Sequence, residues 1–432
     1  MNQCFEALGM EMKHTMLENG LHIYYIPKPG FSKTFAMLAT NFGAVDRTFT
    51  MDGVTYHTPA GVAHFLEHKM FEDADGNALQ KFGQTGASPN AFTSYAMTAY
   101  YFYCTDAWEQ NLDILLRFVF TPYFTEENVQ KEKGIIAQEI NMMEDTPSWK
   151  TYVGVFEGMY HTHPVNTSIA GSVQSIAEIT PEILFLCHKA FYSPANMSLI
   201  VSGNADFDRI VQMAESLSPK TAAKVAARQY GVRQENVAAA EVTHYMSVSR
   251  PSFMLGIKDL PLAPGESHLR RQLVGDLAAR ILCGNTAPLF VSLYQERLVT
   301  RGFESSYALL PDAAAALLGG ESNDPYAVRD RVAEQVQRYA AQGIEDSLFD
   351  RMKKACYGLN VRVLDQPDEL CRAQAESSFA GECCLDFAKL YDTITKQEVQ
   401  QMFVRWAQPD RMTLSVVLPA EAKERKAEAW KM

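Results

Sequence analysis

The feature that most constrains the fold of this chain is an internal repeat. Ile179-Thr180 through Pro194-Ala195-Asn196-Met197-Ser198-Leu199-Ile200-Val201 aligns without a gap to Ile394-Thr395 through Pro409-Asp410-Arg411-Met412-Thr413-Leu414-Ser415-Val416, and Phe191 pairs with Trp406. The offset is 215 residues (179 to 394) in a chain of 432. Each copy reads as a helix opened by a threonine cap, then a proline turn, then a strand with alternating large apolar residues. A fainter echo sets FAMLATNFGA (35–44) beside SFMLGIKDLP (252–261). A fixed offset of close to half the chain predicts two copies of one supersecondary plan. We therefore expect an N-terminal domain at 1–218, a linker at 219–240 and a homologous C-terminal domain at 241–432. The linker is placed where Ser218-Pro219-Lys220 opens a stretch rich in Ala, Lys, Gln and Arg with little apolar periodicity.

The first half also carries a chemical signature. His64-Phe65-Leu66-Glu67-His68 is an H-x-x-E-H arrangement, the inverse of H-E-x-x-H. Residues four apart share a helix face, so His64 and His68 can offer two imidazoles to one ion, with Glu67 beside them as a base for water. Thr58-Pro59 reads as the helix entry and Asp75-Gly76 as its exit. Val62, Leu66 and Met70 fall on one stripe, and the two histidines on another. A zinc ion held this way needs a third ligand and an open position. The second half contains only His244 and His268, so the scaffold is doubled and the metal site is not.

Composition excludes several other functions. The net charge of -12 argues against nucleic acid or anionic membrane as the main partner. No apolar run approaches a membrane span, and the N-terminus lacks a basic segment followed by an apolar one. Eight scattered cysteines show no disulfide or zinc spacing, which points to buried thiols and a reducing cytoplasm.

Carboxylates for the remaining ligand are best supplied by Thr125 through Ile140. Thr125 is a helix cap and Glu126 and Glu127 fill the first turn, as the helix dipole favours. Glu132 and Glu139 are seven apart and share one face. Such a stripe is ordinarily a solvated face, and the residues alone leave that reading open. Tyr95 through Tyr103 (YAMTAYYFY) reads as a buried strand, and the tail AEAKERKAEAWKM (420–432) as a charged helix end.

Taken in order, Glu18-Asn19-Gly20-Leu21, GVAHFLEHKMFE (61–72), Gly86 through Ser94 (GASPNAFTS), Glu132 through Glu139, and His163-Pro164 to Gly171 resemble the pitrilysin/insulinase family of inverted-motif zinc metallopeptidases. The lysine after the motif is similar to the short bacterial, YmfH-like branch of processing-peptidase relatives. The resemblance implies an α+β fold with two homologous domains, each a mainly antiparallel sheet packed with helices. It implies Zn2+ held by His64, His68 and Glu139, with Glu67 as general base and Glu132 as a supporting acid. It also implies that Asn90, Ala91, Phe92 and Thr93 form an edge strand that binds an extended peptide. One departure stands out. The family completes its active site with an Arg and a Tyr seven apart, whereas here Arg297 is followed by Glu304 at that spacing, and Tyr307 lies ten on. The resemblance thus implies a zinc-dependent peptidase paired, as a homo- or heterodimer, with a paralogous subunit that supplies the Arg and Tyr. The competing expectations are a non-catalytic peptide-binding scaffold subunit and a metal protein that is not a peptidase.

Overall fold

The structure is a computed structural model that describes residues 2–74, 76–221 and 224–422. The helix exit assigned to Asp75, and the tail from Lys423 on, lie outside the described residues. Along the first half run β1 (Asn2–Phe5), β2 (Met10–Met16), β3 (His22–Pro27), β4 (Thr34–Thr40), α1 (Val62–Met70), β5 (Ser88–Thr93), β6 (Thr98–Cys104), α2 (Glu126–Glu144), α3 (Pro147–Met159), α4 (Pro181–Phe191) and β7 (Met197–Gly203). The second half contributes β8 (Glu241–Met246), β9 (Ser252–Asp259), α5 (His268–Cys283), β10 (Glu304–Leu310), β11 (Ala313–Glu321), α6 (Pro367–Phe379), α7 (Lys396–Trp406) and β12 (Met412–Pro419).

Two mainly antiparallel sheets follow from these strands. One has the order β1-β2-β3-β7-β4-β6-β5 and the other β8-β12-β9-β11-β10. Without the β1–β2 hairpin they match strand for strand, down to a single parallel pair in each, β7 with β3 and β12 with β8. The fold is therefore α+β with two homologous copies, and the repeated segment is α4–β7 and α7–β12. Both threonine caps form as the repeat predicts. Thr180 Oγ1 accepts from the Ile183 amide at 3.4 Å. Thr395 Oγ1 accepts from the Glu398 amide at 3.3 Å, and the Glu398 carboxylate accepts from the Thr395 amide at 2.8 Å, closing a capping box.

The compact units do not coincide with the halves. Unit 1 gathers the described residues up to Gln138, Ser168–Gln229 and Leu359–Ala388; unit 2 gathers Glu139–Thr167, Tyr230–Gly358 and the described residues from Lys389 on. Each copy thus gives a helical segment to the other's sheet, and boundaries drawn at 218 and 241 are crossed twice. In unit 1, α6 packs on β4 and β7, with Leu370, Cys371 and Ala375 buried and Ser378 Oγ 2.8 Å from Ser198 Oγ. In unit 2, α3 packs on β8, β9 and β12. Small residues allow that approach: a Cβ at Gly158 would lie 2.2 Å from Thr413 Cγ2. The stretch expected to be a linker is partly structured. Ala227–Gln229 pairs with Thr48–Thr50, and Arg228 Nε meets Asp46 Oδ1 at 3.1 Å.

Among the described residues, one helical stretch, His268–Gln295, is long and apolar enough by composition to cross a membrane. It is interrupted at 284–287, and Leu273, Leu277 and Ile281 on α5 are buried in unit 2, where α5 packs against β10. It is a core helix there.

Candidate metal centre

Helix α1 starts later than Thr58-Pro59 suggests. Its cap is Gly61, held at φ +87, where a Cβ would lie 2.4 Å from the Ala170 carbonyl oxygen. Only glycine tolerates both that backbone and that closeness. Gly171 is the reciprocal case, at φ +73 with a Cβ 2.5 Å from the Ala60 oxygen, which accounts for the glycine closing the His163–Gly171 segment. Thr58 caps nothing; its hydroxyl donates to the Arg47 carbonyl at 3.2 Å. Val62, Leu66 and Met70 are buried as the stripe predicts, and His64 and Glu67 are buried with them.

Helix α2 is opened by Thr125, whose Oγ1 accepts from the Asn128 amide at 3.2 Å while Asn128 Oδ1 accepts from the Thr125 amide at 2.9 Å. Val129, Ile136 and Ile140 bury one side of it and so fix how Glu132 and Glu139 are presented. Ligand atoms of His64, His68 and Glu139 lie within 4.8 Å of one another, the one such group among the described residues. The imidazole centroids of His64 and His68 are 4.6 Å apart. Two imidazoles and one carboxylate form the donor set of a hydrolytic zinc site, and this spacing accommodates the ion.

Glu132 is buried. Its Oε1 accepts from His68 Nδ1 at 3.1 Å. A carboxylate only accepts, so this bond places the His68 proton on Nδ1 and leaves Nε2 as the lone-pair nitrogen. Burial opposes ionisation of Glu132, but the His68 hydrogen bond and the Lys69 ammonium outweigh it and hold the carboxyl below its usual range.

Glu67 accepts from the Thr93 hydroxyl through Oε2 at 2.6 Å. Strand β5, which carries Asn90, Ala91, Phe92 and Thr93, is paired only with β6 and forms one edge of the unit 1 sheet. The edge position expected for these residues is therefore present. The Thr93 side chain, however, is engaged with the candidate base. Asn90 Oδ1 accepts from the Ala91 amide at 2.9 Å.

Arg297 and Tyr307 are not brought together as a catalytic pair. Arg297 is exposed, at φ +58, and its carbonyl accepts from Asn323 Nδ2 at 3.1 Å. Tyr307 is 4 % exposed in the core of unit 2, and its hydroxyl donates to Asp259 Oδ2 at 2.8 Å. Asp259 in turn pairs with Arg405 Nε at 2.8 Å. Burial, then the Asp259 charge, pushes the Tyr307 hydroxyl well above its ordinary value. Tyr307 is thus a structural residue of unit 2. Two groups escaped the sequence reading: Thr93 as the partner of Glu67, and Lys69, buried against Glu132 and Glu72. The only sequence signal for Lys69 was a lysine inside an otherwise buried helix.

Residues 53–173 match the model of the insulinase (peptidase M16) family, and residues 178–356 match the model described as the peptidase M16 inactive domain. The protein named uncharacterized zinc protease YmfH, from Bacillus subtilis, is 35% identical over 96% of this chain and 98% of its own length. An M16-like peptidase from Alicyclobacillus acidocaldarius superposes with a TM-score of 0.90 at 34% identity, covering 95% of this chain and 98% of its own. The periplasmic protease PqqL from Escherichia coli shares the fold, with a TM-score of 0.72 at 18% identity over 96% of this chain but 48% of its own. Relatives named as zinc proteases support Zn2+ as the cofactor, and the His64, His68 and Glu139 group is one that could hold it. The chain belongs to the insulinase (M16) family of zinc peptidases.

Proposed function

We propose that this chain is a zinc-dependent endopeptidase that cleaves unfolded peptides together with a paralogous partner subunit. The observation that carries the reading is the convergence of His64, His68 and Glu139 beside Glu67, a carboxylate outside the ligand set and hydrogen-bonded to an edge strand. Zinc, when bound, supplies the Lewis acidity that makes a water acidic near neutral pH. Glu67 takes the proton of the attacking water and returns it to the leaving amine. The Thr93 hydroxyl aims that carboxylate, and Glu132 keeps the His68 Nε2 lone pair available. An extended peptide adds to the open edge of β5 through main-chain hydrogen bonds, which favours unfolded substrates over folded ones.

Two observations support a partner. Tyr307, the tyrosine that follows Arg297 in the expected Arg/Tyr stretch, is committed to Asp259 inside unit 2. PqqL, about twice as long, contains a half that superposes on this whole chain. We also propose a cytoplasmic location, a reading supported by eight free cysteines, seven of them buried. The second reading, a peptide-binding scaffold subunit, draws on the same committed Tyr307. Cleavage of an unstructured peptide, measured with the chain alone and with added paralogue, separates them. The proposal expects zinc-dependent cleavage that the paralogue increases. Full cleavage by the chain alone, unchanged by mixing, overturns the partner. Zinc bound without cleavage in either case favours the scaffold.

A further inference from the structure

Lys69 follows the second histidine of the motif, and its side chain is fully buried, with 0% exposure. An ammonium removed from water costs several kcal/mol unless it is paired and hydrogen-bonded. Lys69 meets two carboxylates. Its Nζ lies 2.7 Å from Glu72 Oε2, one turn on, and 3.5 Å from Glu132 Oε2. The other oxygen of Glu132 accepts from His68 Nδ1 at 3.1 Å. One buried carboxylate of α2 thus spans two consecutive side chains of α1, a metal-ligand histidine on one oxygen and a lysine on the other.

We propose that Lys69 is a positioning residue for zinc binding: it pins Glu132 so that Glu132 holds His68 in the ligating tautomer and orientation. The proposal rests on the reading of His64, His68 and Glu139 as the zinc site. With Lys69 present, Oε2 is held toward the ammonium and Oε1 is left facing the imidazole. Without it, Glu132 becomes a buried carboxylate with no cation beside it and Glu72 close by, and its hold on His68 is no longer fixed. Groups in this position, one bond beyond the ligand, typically change metal affinity by about 10- to 100-fold.

Zinc affinity, measured by competition with a chromophoric chelator on the intact chain, tests this without reference to turnover. Lys69→Met is expected to weaken zinc binding by about 10- to 100-fold, while Lys69→Arg, which keeps the charge, stays close to wild type. If Lys69→Met does not fold, Glu132→Gln is compared with the Glu132→Gln/Lys69→Met double variant, in which the buried charges are removed together. A residue acting through Glu132 adds no further loss there. A folded Lys69→Met with wild-type zinc affinity, or a further tenfold loss in the double variant, overturns the proposal. A wild-type chain that binds no zinc overturns the zinc reading itself.

Discussion

The Thr93 hydroxyl donates to Glu67 Oε2 at 2.6 Å, so the edge strand β5 and the candidate base are mechanically one piece. Removing that donor with Thr93→Val leaves Glu67 buried and less well aimed. A hydrogen bond to a charged group contributes about 1.5–3 kcal/mol, so kcat/KM is expected to fall by about tenfold or more with zinc content unchanged. Steady-state kinetics alongside metal analysis checks this. Unchanged kinetics contradict the aiming role.

Tyr307 makes the opposite prediction. Its hydroxyl serves Asp259, and through it Arg405, within unit 2. Tyr307→Phe is expected to cost about 1–2 kcal/mol of stability and to leave zinc affinity as in wild type. Urea unfolding and chelator competition measure the two effects. A loss of turnover at full stability would return Tyr307 to the catalytic machinery.

Much of this protein was legible along the chain because the signals were local. The caps at Thr125, Thr180 and Thr395, the burial stripe of Val62, Leu66 and Met70, and the spacing of His64 and His68 each depend on neighbours within a few turns, whereas Glu139, 71 residues past His68, was implied only by the family resemblance. The doubled sheet followed from the repeat. What escaped depends on contacts distant in sequence. Nothing near position 93 signals that its hydroxyl meets Glu67, and nothing near position 69 signals Glu132. The exchange of α3 and α6 between copies is invisible to periodicity, since a helix shows which face it buries but not against which sheet. The onset of α1 was missed for a similar reason: Gly61 is fixed by Ala170, more than a hundred residues away.

That exchange has a consequence for fragments. The unit 1 sheet is completed by α6, which buries Leu370, Cys371 and Ala375 on β4 and β7. Residues 1–218 expressed alone lack that cover and expose the apolar face of the sheet. The fragment is expected to bind a hydrophobic dye and to lack a cooperative thermal transition. A fragment that unfolds cooperatively at the wild-type midpoint contradicts the exchanged packing.

Stability also carries a pH signature in unit 1. His188 Nε2 donates to the Val119 carbonyl at 3.0 Å, and burial lowers its pKa from 6.5 to about 4, partly opposed by that bond. The unfolded chain then binds the proton first as pH falls. The contribution of His188 is present in full above its unfolded value near 6.5 and is lost as pH falls toward 4. The loss amounts to ~3 kcal/mol, and His188→Gln is expected to flatten the slope in denaturant titrations across that window. An equal slope in both proteins contradicts the assignment.

The central claim is that His64, His68 and Glu139 hold zinc and Glu67 uses it. Metal content and peptide cleavage of wild type and Glu67→Gln, measured side by side with the paralogous subunit present, test it most directly. The account predicts about one zinc per chain in both proteins and cleavage reduced at least ~100-fold in the variant. Wild-type cleavage by Glu67→Gln, or a wild-type chain that holds no zinc, contradicts it.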